Sequence, residues 1–99
     1  MLNFNERCYS LLMQVPKGRV TTYAEIAHAL GGKGYRAVGV AMAKNNRLIE
    51  VPCHRVVCSD GNMGGYVGGI TQKRQLLESE GVKISNGKIV DFDQVIYRF

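Results

Sequence analysis

One cysteine in this sequence is placed where a thiol could act as a nucleophile. Cys53 lies in the run Val51-Pro52-Cys53-His54-Arg55-Val56, between a rigid proline and a glycine-rich stretch, with an imidazole and a guanidinium beside it. Cysteine attacks as the thiolate, and neighbouring cations or an imidazole favour that form. The setting fits a reactive thiol, yet Cys53 could also be a third packed cysteine beside Cys8 and Cys58, and the residues alone leave both readings open. Adjacency to His54 does not imply contact, because successive side chains of an extended segment point to opposite faces. A bend or a bridging water would have to join them. As a base, His54 would need an orienting carboxylate, and Glu80 near the end of the last helix is a candidate.

Other chemistries fit less well. Cys53, His54 and Cys58 match no common zinc-ligand spacing, and His28 reads as a half-exposed helix residue, so no metal is expected. Gly64-Gly65-Tyr66-Val67-Gly68-Gly69 lets backbone approach a ligand closely but lacks the strand-to-helix pattern of a phosphate loop. No cofactor is expected. Three cysteines without a Cys-x-x-Cys pair argue against a disulfide framework and for a reducing compartment: the cytoplasm, or the nucleus in a eukaryote. The N-terminus does not read as a signal peptide, and no apolar run approaches a membrane span.

The elements that would position these groups fit one domain over residues 1–99. Phe4, Cys8, Leu11, Leu12 and Val15 share one helical stripe, ended by Pro16-Lys17-Gly18. Arg19-Val20-Thr21 is β-prone. Thr22 and Glu25 have capping-box spacing and open a helix to about Leu30. After the glycines at 31, 32 and 34, a further helix runs from Tyr35 to Lys44 with Val38, Ala41 and Met42 inward. Two short helices about a glycine turn form a helix-turn-helix pattern. Leu48 to Val57 reads as mostly extended, Ser59 to Gly69 as irregular, and Thr71 as the cap of a last helix through Leu76, Leu77 and Glu80. Val82-Lys83-Ile84 and Lys88-Ile89-Val90 about Asn86-Gly87 read as a hairpin, in the place of a wing. The expected class is mainly α with small β elements: a winged-helix-like helix-turn-helix domain with a short C-terminal β-hairpin.

Charge is lopsided. Residues 1–49 hold seven basic side chains (Arg7, Lys17, Arg19, Lys33, Arg36, Lys44, Arg47) against two acids, while residues 50–99 hold six of each. The whole net charge of +5 therefore sits in the first half. That suits a phosphate-contacting surface, although a solubilising face would look the same.

Taken together, these residues resemble the O6-alkylguanine-DNA alkyltransferases, the methylated-DNA–protein-cysteine methyltransferases. The resemblance rests on Val51-Pro52-Cys53-His54-Arg55-Val56, on Val15-Pro16-Lys17-Gly18-Arg19-Val20-Thr21-Thr22-Tyr23, and on Arg36-Ala37-Val38-Gly39 with Asn45. Gly64-Gly65-Tyr66-Val67-Gly68-Gly69 and Leu76-Leu77-Glu78-Ser79-Glu80-Gly81 follow in family order, so that it covers about Phe4 to Val82. It corresponds to the family's C-terminal active-site domain.

The resemblance implies that Cys53 accepts an alkyl group from guanine O6, with His54 as general base through a water, Glu80 orienting it, and Asn45 holding the adjoining turn. It implies that Tyr23 donates a hydrogen bond to the departing guanine and that Arg36 fills the place of the extruded nucleotide. Backbone groups around Cys53 and Val56, with Ser59 and the Val67 amide, would contact the flipped base. The partner would be double-stranded DNA containing O6-alkylguanine, entered from the minor groove by a monomer; small residues such as Ala37, Gly39 and Ala41 suit close approach there. Single turnover follows from the stable thioether.

Three departures stand out: the N-terminal domain of many members is missing from this sequence, position 67 is Val where several members have a small hydroxyl residue, and position 75 is Gln where an aromatic is frequent. The nearest rival is a non-catalytic alkyltransferase-like protein, a class that replaces the acceptor cysteine. A helix-turn-helix transcription factor with an inert Cys53 and a cysteine hydrolase are more distant.

Overall fold

The computed structural model describes residues 2–32 and 34–99; Lys33, counted above with the basic first half, lies outside them. Asn3 caps α1 (Phe4–Leu12) by accepting from the Glu6 amide at 2.8 Å. Cys8, Leu12 and Val15 of the expected stripe are buried, whereas Phe4, at the first helical position, is 38% exposed. After β1 (Thr21–Thr22), Thr22 caps α2 (Tyr23–Ala29), its hydroxyl accepting from the Glu25 amide at 3.0 Å. The Glu25 carboxylate pairs with Arg98 near the chain end. The second helix of the helix-turn-helix, α3 (Tyr35–Ala43), buries Val38, Ala41 and Met42 and leaves Arg36, Val40 and Lys44 outside.

The segment before the site is not extended throughout. Pro52 has φ −81° and ψ 62°, and the Cys53 amide donates to the Val51 carbonyl at 2.8 Å. This is an inverse γ-turn, whose φ proline's ring already favours. It leads into a 3-10 turn at Cys53–Arg55 and then β2 (Val56–Val57). β1 and β2 pair in parallel, Thr21 with Val56 and Thr22 with Val57.

α4 (Ile70–Ser79) starts one residue before Thr71. Gly69, at φ 97°, occupies the cap position without a side-chain bond, so Thr71 falls inside the helix and is exposed. Gly81, at φ 94°, follows its end. β3 (Ile84–Ser85) and β4 (Lys88–Ile89) form the expected antiparallel hairpin, with Asn86 and Gly87 both at positive φ, as a tight two-residue turn requires. The helix α5 (Phe92–Val95) and the final strap have no counterpart in the sequence reading. The strap runs beside β1: the Tyr97 amide donates to the Val20 carbonyl at 2.6 Å, and Arg19 Nε donates to the Val95 carbonyl at 2.9 Å.

The architecture is mainly helical with two small two-stranded sheets. Its core has two lobes, divided by the pleat of β2. Val56 faces the lobe of α1, α2 and α3, with Leu12, Ile26, Val38 and Val51, and Val57 faces the lobe of Val20, Leu77, Val82 and Ile89. Each such aliphatic side chain contributes roughly 1.5–3 kcal/mol by leaving water. The 3-10 turn carrying Cys53 is thus anchored by Val51 on one side and Val56 on the other. No helix of the described residues is long and apolar enough to cross a membrane.

Candidate active site

Cys53 lies at a pocket of about 170 Å³ between the helix-turn-helix and the glycine-rich loop. Tyr23 opens α2 and forms one wall; Gly39, Met42 and Ala43 of α3 form another; Gly65, Tyr66 and Val67 close the third. Cys53 is 4% exposed. Asn45, just beyond the end of α3, holds the turn that presents it. Its Nδ2 donates to the Val51 carbonyl at 2.9 Å and to Cys53 Sγ at 3.3 Å, and its Oδ1 accepts from the Arg47 amide at 3.0 Å. Burial pushes the Cys53 thiol up; the Asn45 hydrogen bond and the Lys73 charge oppose it without overcoming it.

The 3-10 turn sends His54 inward, where it is fully buried. Its Nε2 lies 3.0 Å from Glu80 Oε2. A carboxylate can only accept, so Nε2 carries the proton and Nδ1 keeps the lone pair. Nδ1 has no hydrogen-bond partner among the described residues. Burial holds the imidazole below its ordinary value and outweighs Glu80, which favours the charged form. His54 is therefore neutral near pH 7, as a base must be before it acts.

Glu80 is held from a second side by Arg55, which the sequence reading missed. Arg55 donates from Nε to Oε1 at 2.9 Å and from Nη2 to Oε2 at 2.8 Å, while its Nη1 donates to the Val15 carbonyl at 2.7 Å. Burial raises the Glu80 carboxyl, but the hydrogen bonds and charges of Arg55 and His54 leave it below its usual range. Lys73 was missed as well. It is fully buried, and its Nζ donates to the Val56 carbonyl at 2.6 Å and to the Gly65 carbonyl at 2.9 Å. Spacing gave no signal for either residue, because both act through partners distant in the chain.

The remaining sequence candidates fall around this centre. Tyr23 is a pocket wall, its hydroxyl raised by burial. Val67 lines the pocket and is 51% exposed. The Val56 backbone is already engaged, its N–H on the Cys53 carbonyl and its C=O on Lys73. Ser59 lines a neighbouring cavity of about 430 Å³ that shares Tyr23. Arg36 sits in the first turn of α3, exposed and outside both cavities. Among the described residues, no three His, Cys, Asp or Glu side chains gather as a metal site. The arrangement presents a thiol at the wall of a pocket of about 170 Å³, and the next residue of the same turn is a neutral imidazole fixed by a carboxylate.

Residues 3–82 match the family model of the 6-O-methylguanine DNA methyltransferase DNA-binding domain. The chain is 47% identical over 92 residues to the bifunctional methyltransferase/endonuclease of Picrophilus torridus, covering 92% of this chain and 30% of that protein. It is similar to the crystal structure of the O6-methylguanine-DNA methyltransferase of Pyrococcus kodakaraensis, with 47% identity, a TM-score of 0.75, and coverage of 83% of this chain and 48% of that one. It is also similar to S. pombe Atl1 in complex with damaged DNA containing O6-carboxymethylguanine, with 29% identity, a TM-score of 0.85, and coverage of 100% of both chains. The chain spans between 30% and 52% of the length of the curated relatives it matches.

Proposed function

The chain belongs to the 6-O-methylguanine DNA methyltransferase family through its DNA-binding domain, and from that premise we propose that it repairs double-stranded DNA by moving an alkyl group from guanine O6 to Cys53. The single observation that carries this reading is the pairing of a pocket-lining thiol, held by Asn45 at 3.3 Å, with a neutral imidazole fixed by Glu80 at 3.0 Å. In the reaction, a sulfur electron pair forms the S–C bond while the C–O6 bond breaks and its pair stays on the guanine. The thiol proton passes through a water to the free nitrogen of His54, which later returns it to solvent. The guanine leaves as an anion, takes a proton from solvent, and is held meanwhile by a hydrogen bond from Tyr23.

O6 of a stacked guanine is out of reach, so the nucleotide must rotate out of the duplex, at a cost of a few kcal/mol. Arg36, exposed at the start of α3, fills the gap from the minor groove. The thioether is not reversed, so each molecule acts once. We place the activity in one domain over residues 1–99, acting as a monomer in the cytoplasm, or in the nucleus of a eukaryote.

A second reading is favoured by the end-to-end likeness to Atl1: a lesion-binding protein without transfer. Cys53 separates the two. Incubated with an oligonucleotide containing O6-methylguanine, the protein should gain the mass of one methyl group, located at Cys53, and Cys53→Ala should not. Tight lesion binding with no mass gain would favour the second reading.

A further inference from the structure

We propose that Arg19 is a positioning residue of this site: by gripping the C-terminal strap it fixes β1, and with it the hydroxyl of Tyr23, against the glycine-rich loop that the same C-terminal segment holds from the other side. The inference deepens the alkyl-transfer reading and rests on it.

Arg19 is half-buried, and no carboxylate among the described residues pairs with it. Its guanidinium is turned to the strap instead. Nε donates to the Val95 carbonyl at 2.9 Å, Nη2 donates to the Ile96 carbonyl, and Cζ lies over the Tyr97 ring, 5.9 Å from its centre. A planar fork can make all three contacts at once, which an ammonium cannot. The backbone continues the hold. Val20 turns its amide to the Val95 carbonyl at 3.0 Å, and the fully buried Thr21 donates its hydroxyl to the Tyr97 carbonyl at 3.0 Å. β1 then pairs with β2 and runs directly into Tyr23, the pocket wall that opens α2.

The earlier part of the same segment holds the opposite wall. In the hairpin, the Gly87 carbonyl accepts from the Met63 amide at 3.0 Å, and the Ile89 amide donates to the Gly61 carbonyl at 2.9 Å. The Phe92 ring packs on Gly61, 3.6 Å from where a Cβ would stand. From Met63 the chain passes into Gly64, Gly65, Tyr66 and Val67. The two walls meet at Gly64, where the Oη and Cε2 of Tyr23 lie 3.8 Å from the place of the missing Cβ. One continuous stretch, 84–97, is therefore bonded to both walls and limits how far they part. All of it lies beyond residues 3–82 of the family match. A hydroxyl that must donate to a departing guanine depends on that spacing, since a misplacement of about 1 Å can cost on the order of a hundredfold in rate.

The first test uses no DNA. In NMR spectra of the full chain, the nuclear Overhauser cross-peak between Tyr23 Hε and Gly64 Hα reports the meeting of the walls. Arg19→Met should weaken it relative to cross-peaks within the lobe of α1, α2 and α3. A folded Arg19→Met with the wild-type cross-peak overturns the proposal. If that variant does not fold, Thr21→Val, which removes a single hydrogen bond to the strap, takes its place. It should weaken the same cross-peak, and Thr21→Ser should restore it; an unchanged cross-peak in Thr21→Val overturns the proposal.

The second test is the single-turnover rate of methyl transfer per folded molecule, in a double-mutant cycle with Tyr23→Phe. Arg19→Met should slow transfer about fivefold alone but less than about twofold beside Tyr23→Phe, because the hydroxyl through which it acts is already gone. Equal slowing in both backgrounds is the mark of a merely structural loss and overturns the proposal. A protein that shows the NMR effect but never takes a methyl group from O6-methylguanine would retire the repair reading and leave Arg19 as the residue that positions Tyr23.

Discussion

His54 Nε2 and Glu80 Oε2 lie 3.0 Å apart, and Arg55 closes on both oxygens of the same carboxylate at 2.8 and 2.9 Å. Consecutive residues of one 3-10 turn therefore converge on a single acid 25 and 26 positions away. The acid fixes which imidazole nitrogen carries the proton, and the guanidinium keeps the acid ionised while it does so. The two residues could not both reach the acid if the segment were extended, since one of them would face away.

Arg55 should accordingly matter for stability as much as for chemistry. With Arg55→Met, the Glu80 carboxylate, whose side chain is 8% exposed, keeps only His54 as a partner. The Val15 carbonyl also loses its donor. Removing one member of a buried ion pair costs about 3–5 kcal/mol, so the variant should show a loss of that order in urea unfolding. Arg55→Lys should recover only part of it, because an ammonium cannot span both oxygens. Wild-type stability in Arg55→Met would mean that this network is not formed in solution.

Stability should fall on the acid side in two stages. His54 is held below its ordinary 6.5 by burial, so the unfolded chain binds its proton first, and this contribution is present above pH 6.5 and lost as pH falls through the folded value. Glu80 is held below its ordinary 4.5, chiefly by Arg55 and His54 acting against burial. Its contribution is full above about 4.5 and disappears as pH falls through its own lower value. Unfolding free energy measured from pH 8 to 3 should decline across both windows in wild type. Glu80→Gln should be less stable above that window, approach wild type at its acid end, and lose the part of the lower decline that Glu80 supplies. A flat profile from pH 7 to 5 would contradict the buried neutral histidine.

Much of this was legible before any coordinates, and the remainder was not for identifiable reasons. The stripe of Cys8, Leu12 and Val15, the Thr22 cap and the Asn86-Gly87 turn are local signals, written within a few residues, and each appears where local rules put it. Phe4 sits on the same stripe but at the first helical position, where no neighbour covers it. Thr71 lost the cap position to Gly69, whose positive φ starts the helix one residue earlier. The strap of Val95 to Tyr97 is held by Arg19 and Val20 from the far end of the chain, a pairing that periodicity does not encode. Cys53, His54 and Glu80 were nominated together. Arg55 and Lys73 were passed over because a charged residue in a sequence reads as surface, and only the fold reveals the carboxylate and carbonyls that they bury against.

Asn45 should govern both the turn and the thiol. Asn45→Ala removes the donor to the Val51 carbonyl and to Cys53 Sγ, and the acceptor for the Arg47 amide. The Val51 carbonyl keeps the Cys53 amide as a donor, so the cost in stability is that of lost hydrogen bonds, about 1 kcal/mol. Methyl transfer should slow by more than the loss of folded protein accounts for, because the sulfur also loses a hydrogen bond that favours its ionised form. The comparison is single-turnover rate per folded molecule, with the folded fraction taken from circular dichroism. A rate that tracks the folded fraction alone would assign Asn45 a purely architectural role.

Arg36 should act only when a duplex has to be opened. It is exposed in the first turn of α3, lines neither cavity, and bonds to nothing in the site. Arg36→Ala should therefore leave both the fold and the reaction of Cys53 with a free O6-alkylguanine base at wild-type levels. Transfer from a duplex requires extrusion of the nucleotide, which costs a few kcal/mol in a paired stack and less in a single strand. If Arg36 offsets even about 1.4 kcal/mol of that cost, its loss slows duplex repair about tenfold relative to single-strand repair. The decisive measurement is the ratio of single-turnover rates on the two substrates at fixed salt, since removing a phosphate-contacting charge would by itself weaken binding to both. A ratio unchanged from wild type would reduce Arg36 to one more cation on a basic face.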